Sequence, residues 1–320
     1  MRSGIVTLVG RPNVGKSSLL NALTGRKLSI VSHKPQTTRH AIQGVLHHAD
    51  GQIVFVDTPG LHLGGKRALN RAMNDTASAS LQDIDLAIFV VEAGRWTDED
   101  AAVLERLARV PGPVGLVVNK VDRVADKTRL LPELQVHAAR REFAFVVPLS
   151  ALRKDNLDGL TAEILKRLPE GPPLYPPDMI VGYDNAFLAT EIVREKLTRT
   201  LNQELPYALT VSIEAYEVEA PRRPEGKSPR RPKTPAARPA AAPDARPLHR
   251  IRAVIWVERE GQKKIVIGED GGALKRVGTT ARKELEHLLG ARVFLQLWCR
   301  VRENWSDDPK ALEQFGLRSV

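Results

Sequence analysis

The sequence predicts an α/β protein in which a doubly wound, mostly parallel sheet is followed by a smaller α+β domain. Residues 4–168 alternate short apolar runs with helix-like stretches, which is typical of β-α units around a parallel sheet. A proline-rich stretch at 169–177 then marks a domain boundary. Beyond it the elements follow a different order, so a second fold class is expected there.

In the first domain, predicted for residues 1–170, strands and helices alternate. Asp50-Gly51 is a hairpin signal between the second and third strands, so one antiparallel pair is expected in an otherwise parallel sheet. The predicted strands are 5–9, 42–48, 52–57, 114–118 and 145–149, and the predicted helices are 67–80, 98–110, 127–142 and 156–168.

Residues 171–184 form the predicted linker, and residues 185–305 form the second domain. Its predicted order is a helix, two strands, a helix after the Gly268–Gly271 loop, a longer helix and a final strand, which is the order of a type II KH domain. The elements with defined limits are the first helix at 185–205, strands at 208–217 and 251–258, the longer helix at 279–289 and the last strand at 292–301.

The C-terminal tail, residues 306–320, is expected to hold one short helix. Ser306 or Asp307 is the predicted N-cap, because both residue types accept backbone hydrogen bonds at helix starts. The apolar side chains of Trp305, Leu312 and Phe315 are expected to pack onto the second domain.

Composition limits the classes of partner. The chain has 320 residues, enough for two cores, and a net charge of +10, which favours a polyanionic partner: nucleic acid or an anionic membrane surface. Cys299 is the one cysteine, so no internal disulfide is expected. The first strand begins too early for a signal peptide, and no apolar run approaches the roughly 20 residues of a membrane span. The expected location is cytoplasmic, with peripheral contact at the inner face of the cell membrane as an addition.

The motif GRPNVGKS between the first strand and a helix predicts a phosphate-binding loop. Glycines let the backbone approach an anion closely, and the loop N–H groups point inward. Lys16 is placed to reach the β- and γ-phosphates, and Ser17 to bind Mg²⁺. The predicted binding residues of this loop are Gly10, Arg11, Pro12, Asn13, Val14, Gly15, Lys16, Ser17 and Ser18.

Three further motifs follow apolar strands and complete a GTP site at the carboxyl ends of the sheet. Asp57 is expected to hold Mg²⁺ and the Gly60 N–H to meet the γ-phosphate. Asp122 accepts two hydrogen bonds that guanine offers and adenine does not, which selects GTP over ATP. The motif residues are Asp57, Thr58, Pro59 and Gly60, then Asn119, Lys120 and Asp122, then Ser150, Ala151 and Leu152.

Three features of the sequence refine the predicted mechanism. Residues 35–40, PQTTRH, are predicted to be a switch in which Thr38, with Thr37 as the alternative, reaches Mg²⁺ only when a γ-phosphate is present. Leu61 stands where Ras-like enzymes carry the glutamine that orients water, so intrinsic hydrolysis is expected to be slow. Asn13 either helps to hold a K⁺ beside the phosphates or only satisfies loop backbone. The predicted catalytic residues are Lys16, Thr38, Gly60 and Asn13.

These motifs resemble the Era family of GTPases, and the C-terminal part carries a second match. GEDG at 268–271, LKRVG at 274–278, ARKEL at 281–285 and VFLQLW at 293–298 are similar to the KH domain of that family. The resemblance implies a P-loop GTPase sheet followed by a KH domain. It also implies a Mg²⁺ cofactor and a GTP-bound form that binds the single-stranded 3′ end of 16S ribosomal RNA and helps to mature the small ribosomal subunit. No stable oligomer is predicted.

The predicted RNA loop departs from a simple phosphate clamp. Its middle residues are Glu269 and Asp270, and each carboxylate repels a phosphate by about 0.5–1 kcal/mol at ~6 Å in a water-like dielectric. The alternative is that this loop only caps a helix. The predicted RNA-binding residues are Gly268, Glu269, Asp270 and Gly271, with compensating charge from Lys275, Arg276, Arg282 and Lys283.

Residues 220–247 form a Pro/Ala/Arg-rich insertion between two KH strands. Eight basic and two acidic residues give it +6 of the net charge of +10. It cannot form a core, so it is expected to be a disordered loop that is either passive or a polycation for RNA phosphates. Two rival functions stay open: a membrane-surface signalling GTPase, and a KH module that binds RNA in every nucleotide state.

Overall fold

The computed structural model describes most of the chain. The described residues are 1–31, 39–40, 42–57, 68–79, 81, 83–177, 179, 184–201, 205, 208–221 and 246–317. Three predicted features lie outside them: the switch residues Thr37 and Thr38, the segment from Thr58 to Leu61, and residues 222–245 of the insertion.

The first domain is the predicted doubly wound sheet. Its strand order is β2-β3-β1-β4-β5-β6, and every neighbouring pair is parallel except β2 with β3. The strands are β1 (Arg2–Val9), β2 (Ile42–His48), β3 (Gly51–Asp57), β4 (Leu86–Glu92), β5 (Val114–Asn119) and β6 (Phe145–Pro148). β4 was not among the individually predicted strands.

Helices cover both faces of this sheet. α1 and α5 pack with one apolar cluster, and α3 with a second cluster on the opposite face. The helices are α1 (Lys16–Thr24), α2 (Ala68–Ala79), α3 (Asp98–Leu107), α4 (Leu130–Ala138) and α5 (Leu157–Leu165). The helix predicted at 127–142 is shorter, because a 3-10 turn at Lys127–Arg129, capped by Asp126, precedes α4.

The second domain has a three-stranded sheet in the order β7-β8-β9, with β7 antiparallel and β9 parallel to β8. Its apolar core lies between this sheet and the helices α6 and α8. The elements are α6 (Asn185–Thr200), β7 (Leu209–Glu219), β8 (Leu248–Val257), α7 (Glu260–Ile267), α8 (Gly272–Leu289) and β9 (Arg292–Val301).

The predicted order of two helices after the Gly268–Gly271 loop was wrong. α7 precedes the loop, and α8 continues without a break through Gly278 to Leu289. A glycine inside a helix costs only about 1 kcal/mol. The continuous apolar face formed by Val277, Ala281 and Leu285, all buried, outweighs that cost.

The predicted destination of the tail was also wrong in part. Trp305 is fully buried and donates its indole N–H to Ala208 of the KH domain, but the same side chain packs with Leu69 and Met73 of α2. The tail helix α9 (Pro309–Gln314) is capped by Asp308, and not by Ser306 or Asp307 as predicted, because the Asp308 carboxylate accepts from the Lys310 N–H. The tail therefore joins the two domains.

Polar groups fix the same junction. Leu69 N–H donates to the Ser306 carbonyl at 3.0 Å, and Ala68 N–H to the Asp307 carboxylate at 2.9 Å. A tail carboxylate thus accepts a hydrogen bond from the first N–H of α2, as a helix cap does.

Candidate functional site

The phosphate loop is a tight turn between β1 and α1. Gly15 has φ +104°, and a Cβ there would lie 2.3 Å from Nδ2 of Asn119, so only glycine fits. Lys16 is buried, and its ammonium donates to the carbonyls of Gly10 at 2.8 Å and Arg11 at 3.0 Å. Burial lowers the pKa of Lys16 to about 8, although the charge of Asp57 opposes the shift. The lysine is thus held inside the loop where phosphates are expected.

The predicted magnesium residues meet at the end of β3. Ser17 Oγ donates to Asp57 Oδ2 at 2.8 Å, and the Asp57 side chain is fully buried. A hydroxyl and a carboxylate at this separation form the oxygen donor set that Mg²⁺ prefers. Both residues therefore fit the ion, and Thr38 and Gly60 lie outside the described residues.

Sequence analysis missed a third hydroxyl at this corner. Ser29 is buried and donates to Asp57 Oδ2 at 3.0 Å. Asn21 of α1 fixes it there, since the Asn21 amide accepts from the N–H groups of Leu28 and Ser29 and donates to the Ser29 carbonyl. Ser29 lies just before the predicted switch and has no motif of its own.

The base-selecting motifs are assembled by Asn119. Its Nδ2 donates to the Val14 carbonyl at 2.9 Å, and its Oδ1 accepts from Ala151 N–H at 3.1 Å. Asp122 Oδ1 accepts from the Ser150 hydroxyl. The structure therefore brings the phosphate loop and both guanine motifs together at one edge of the sheet. The Leu152 side chain is 76% exposed at this edge.

Charged side chains form a network at this edge of the sheet. Sequence analysis named Arg11 and Lys120 as binding residues but did not predict the contacts between the members of this network. Arg11 lies between two carboxylates, with Nε 3.0 Å from Asp100 and Nη2 3.1 Å from Glu92. Glu92 also accepts from Lys120 Nζ at 2.9 Å, and Arg123 approaches it at 3.4 Å. Burial tends to raise the pKa of Glu92, but hydrogen bonds from Lys120 and Arg11 outweigh it and lower the pKa.

The KH loop joins α7 to α8 in an exposed position. Gly268 and Gly271 have φ +74° and +73°, and Asp270, between them, has φ +48°. Glu269 and Asp270 are both exposed, so their carboxylates face solvent at the start of α8. The predicted glycine turn before a helix N-terminus is present.

A groove beside this loop has an apolar floor and a basic rim. Leu274, Leu295 and Leu297 line it with Lys275 and Arg282. Arg276 and Lys283, also predicted for RNA binding, are not among the residues that line it. Arg282 is paired with Glu286 at 2.9 Å, so Lys275 is the lining cation most directly available to a ligand.

Comparison with known proteins assigns the class. Residues 5–120 match the family model described as "50S ribosome-binding GTPase", and residues 246–306 match the KH domain model. The chain is 50% identical over 315 residues to GTPase Era of Xanthomonas oryzae pv. oryzae, which covers 98% of this chain and 97% of that protein. It is 49% identical over 313 residues to GTPase Era of Stenotrophomonas maltophilia, covering 98% and 96%.

Two solved structures share the whole architecture. A point variant of Aquifex aeolicus Era bound to GDP·AlF4⁻ matches with a TM-score of 0.87 and 37% identity over 100% of both chains. Era in complex with MgGDPNP and nucleotides 1506–1542 of 16S ribosomal RNA matches with a TM-score of 0.88 and 37% identity, again over 100% of both chains. Fold and motifs together define a GTP-hydrolysing P-loop enzyme with a C-terminal KH domain. The chain belongs to the Era family of GTPases.

In the described part of the chain, no helix has the length and apolar character needed to cross a bilayer.

Proposed function

We propose that this chain is a GTP-driven switch that binds the 3′ end of 16S ribosomal RNA in its KH groove and assists maturation of the small ribosomal subunit. The solved relative bound to MgGDPNP and nucleotides 1506–1542 of 16S ribosomal RNA supports this ligand. The apolar floor and basic rim of the groove suit single-stranded bases and phosphates.

The switch proposal rests on one observation, which concerns the residues directly after the two predicted γ-phosphate-sensing segments. These residues contact the second domain or the tail. Arg39, directly after the segment that contains Thr38, donates its guanidinium to the Leu209 carbonyl of β7 at 2.7 Å. α2, directly after the segment that contains Gly60, packs on the C-terminal tail. A change on hydrolysis in the segment before Arg39 would therefore act on the KH domain directly, and a change in the segment before α2 would act on it through the tail.

The first of these contacts is polar and buried. Arg39 is 2% exposed and lies beside the buried pair Glu191 and Arg194 of α6. His40 contacts Phe187 of α6 edge-on, with 5.1 Å between ring centroids. Buried charges are costly when one partner leaves, so this contact favours two discrete arrangements over gradual movement.

In the proposed site, Lys16 and the Gly60 N–H bind the γ-phosphate, and Ser17, Asp57 and Thr38 hold Mg²⁺. The bound ion neutralises charge on the β- and γ-phosphates. Asp122, supported by Ser150, selects guanine. Leu61 cannot orient water, so we expect a turnover on the order of 10⁻⁴–10⁻² s⁻¹ without a partner.

We propose K⁺ as a second cofactor at Asn13, whose backbone has φ +65° in the phosphate loop. Replacing K⁺ by Na⁺ is expected to slow GTP turnover, and Asn13→Ala is expected to abolish the difference between the two salts. Equal rates of the unaltered protein in K⁺ and Na⁺ would leave Asn13 a purely structural residue.

The switch is tested by titrating a fluorescent RNA of the 16S 3′ end with protein bound to GDP or to a non-hydrolysable GTP analogue. We expect tighter binding with the analogue by at least about fivefold, the lower range of coupling between two sites. Asp122→Asn provides the control: the xanthosine triphosphate analogue, and not the guanosine one, is expected to raise its RNA affinity.

Two results would reject the proposal. Equal RNA affinity in both nucleotide states would indicate a KH module that binds RNA constitutively. Binding to anionic phospholipid vesicles without measurable RNA binding would indicate the membrane-surface GTPase, whereas binding to both would add peripheral membrane contact to the switch.

A further inference from the structure

Glu92 occupies the junction of the two halves of the nucleotide site. It is the last residue of β4, and β4 lies between β1, which leads into the phosphate loop, and β5, which leads into the base-selecting motif. One oxygen of its carboxylate accepts from Arg11 of the phosphate loop at 3.1 Å. The other oxygen is 2.9 Å from Nζ of Lys120 in the base motif. A single side chain thus contacts both loops.

Burial makes these contacts strong and mutually dependent. The Arg11 side chain is 5% exposed and that of Glu92 13% exposed, so water cannot easily replace either partner. Three cations, Arg11, Lys120 and Arg123, surround the one carboxylate. Without its negative charge they would repel one another across the site.

Arg11 is fixed from its second side by Asp100, which is fully buried. Asp100 Oδ2 also accepts from the N–H and hydroxyl of Thr97, forming the cap of α3. Asp100 therefore has a structural role of its own at the start of a helix. Glu92, unlike Asp100, contacts both the phosphate loop and the base motif.

Lys120 completes the link. Its ammonium donates to the Asn13 carbonyl of the phosphate loop at 2.6 Å while it contacts Glu92. Lys120 is also in the left-handed region, with φ +66°, so its backbone position depends on side-chain anchors. Glu92 accordingly acts on both loops through Arg11 and Lys120.

We propose that Glu92 is a positioning residue that couples phosphate binding to guanine selection. The proposal rests on the nucleotide site proposed above. The carboxylate of Glu92 contacts Arg11 and Lys120, and through them it fixes the phosphate loop relative to the base-selecting motif. Both nucleotide states share these loops, so its contribution to binding is the same for GDP and GTP.

The test is Glu92→Gln, which keeps the shape of the side chain and removes its charge. Asp98→Asn is the matched control, because Asp98 is an exposed carboxylate in the first turn of α3. Titrations with GDP, a GTP analogue and ADP give affinities, and steady-state turnover at saturating GTP gives kcat. Thermal melts establish that each variant is folded at the assay temperature.

We expect Glu92→Gln to weaken GDP and GTP equally, by about tenfold to a hundredfold, the effect of losing hydrogen bonds to charged partners. The preference for GDP over ADP is expected to fall several-fold, and kcat to stay within about twofold. Asp98→Asn is expected to change none of these values. Arg11→Gln combined with Glu92→Gln is expected to be less harmful than the two single effects added, because the pair acts as one unit.

Two outcomes would overturn the inference. If a folded Glu92→Gln protein binds GDP and the GTP analogue with unchanged affinity, Glu92 has only a structural role. Weaker GDP binding with an unchanged preference over ADP would confine its action to the phosphate loop. Failure of the proposed nucleotide site is recognised separately, because the unaltered protein would then show no preference for guanine nucleotides.

Discussion

Two of the glycine loops that the structure describes precede helices, and they differ in how they are supported. The loop Gly10–Ser17 encloses buried Arg11 and Lys16 and is fixed by groups from β3, β4, β5 and α3. The loop Gly268–Gly271 is exposed and carries two carboxylates in place of a lysine. The two loops have similar backbone turns but differ in burial, in anchoring contacts and in charge.

The difference indicates where binding free energy comes from. A preorganised loop loses little conformational entropy when its ligand binds. The nucleotide site is therefore expected to bind GDP or GTP more tightly than the KH groove binds RNA. The KH loop adds unfavourable charge, so we expect RNA affinity to come from the groove beside it. Matched substitutions in the two loops test this contrast directly.

The largest expected effect is that of Gly15→Ala. A Cβ at this position would lie 2.3 Å from Nδ2 of Asn119, at a φ of +104° that alanine disfavours. Backbone strain and the displaced Asn119 hydrogen bond together predict a loss of GDP affinity of about a hundredfold or more. Calorimetric titration with GDP measures it.

Gly271→Ala is the counterpart in the KH loop. Its φ is also positive, +73°, but no heavy atom lies within 4 Å of an added Cβ. Only backbone strain remains, roughly 1–2 kcal/mol, so RNA affinity is expected to fall by at most about thirtyfold. A Gly271→Ala protein more impaired in RNA binding than Gly15→Ala is in GDP binding would contradict the contrast.

The next largest expected effect is the loss of RNA affinity when a cation that lines the groove is removed. Lys275→Gln removes a cation that lines it, whereas Arg276→Gln removes one on the same helix that does not. We expect Lys275→Gln to lower RNA affinity about tenfold and to reduce the slope of log K against log salt by roughly 0.7, the value for one phosphate contact on a single strand.

Arg276→Gln is the control and is expected to leave the salt slope unchanged. Equal effects of the two substitutions would mean that general positive charge on α8, and not the groove, binds the RNA. RNA titrations at several salt concentrations distinguish these results.

That the described nucleotide motifs lie together was predictable from the sequence, because each motif is local. Each motif follows an apolar strand, and the carboxyl ends of parallel strands meet at one edge of a sheet. Glu92 also ends such a strand, so the same rule could have identified it had β4 been recognised. Asp100 could not be found this way, because it lies in the first turn of α3 and not at the end of a strand.

The errors in the second domain have related causes. α7 is a short helix with β-branched residues near its end, Ile265, Val266 and Ile267, which do not signal a helix. Trp305 and Leu312 were recognised as residues to be buried, but hydrophobicity does not specify the partner. Only the fold brings α2 of the first domain to the tail.

The smallest expected effect is a gain in RNA affinity on removing the acidic charges of the KH loop. Glu269→Gln combined with Asp270→Asn is the suitable variant, because Asp270 has φ +48° and asparagine tolerates that conformation. Two fewer carboxylates near phosphates predict binding tighter by about threefold to tenfold at low salt, and by less at high salt.

Glu260→Gln is the control, since Glu260 is an exposed carboxylate at the start of α7 and is not among the residues that line the groove. RNA titrations at two ionic strengths decide the result. If the double variant binds RNA more weakly than the unaltered protein, Glu269 or Asp270 accepts hydrogen bonds from the RNA, for example from base amino groups. The acidic loop would then recognise bases specifically. The two glycine loops would differ both in the groups that they recognise and in how they are supported.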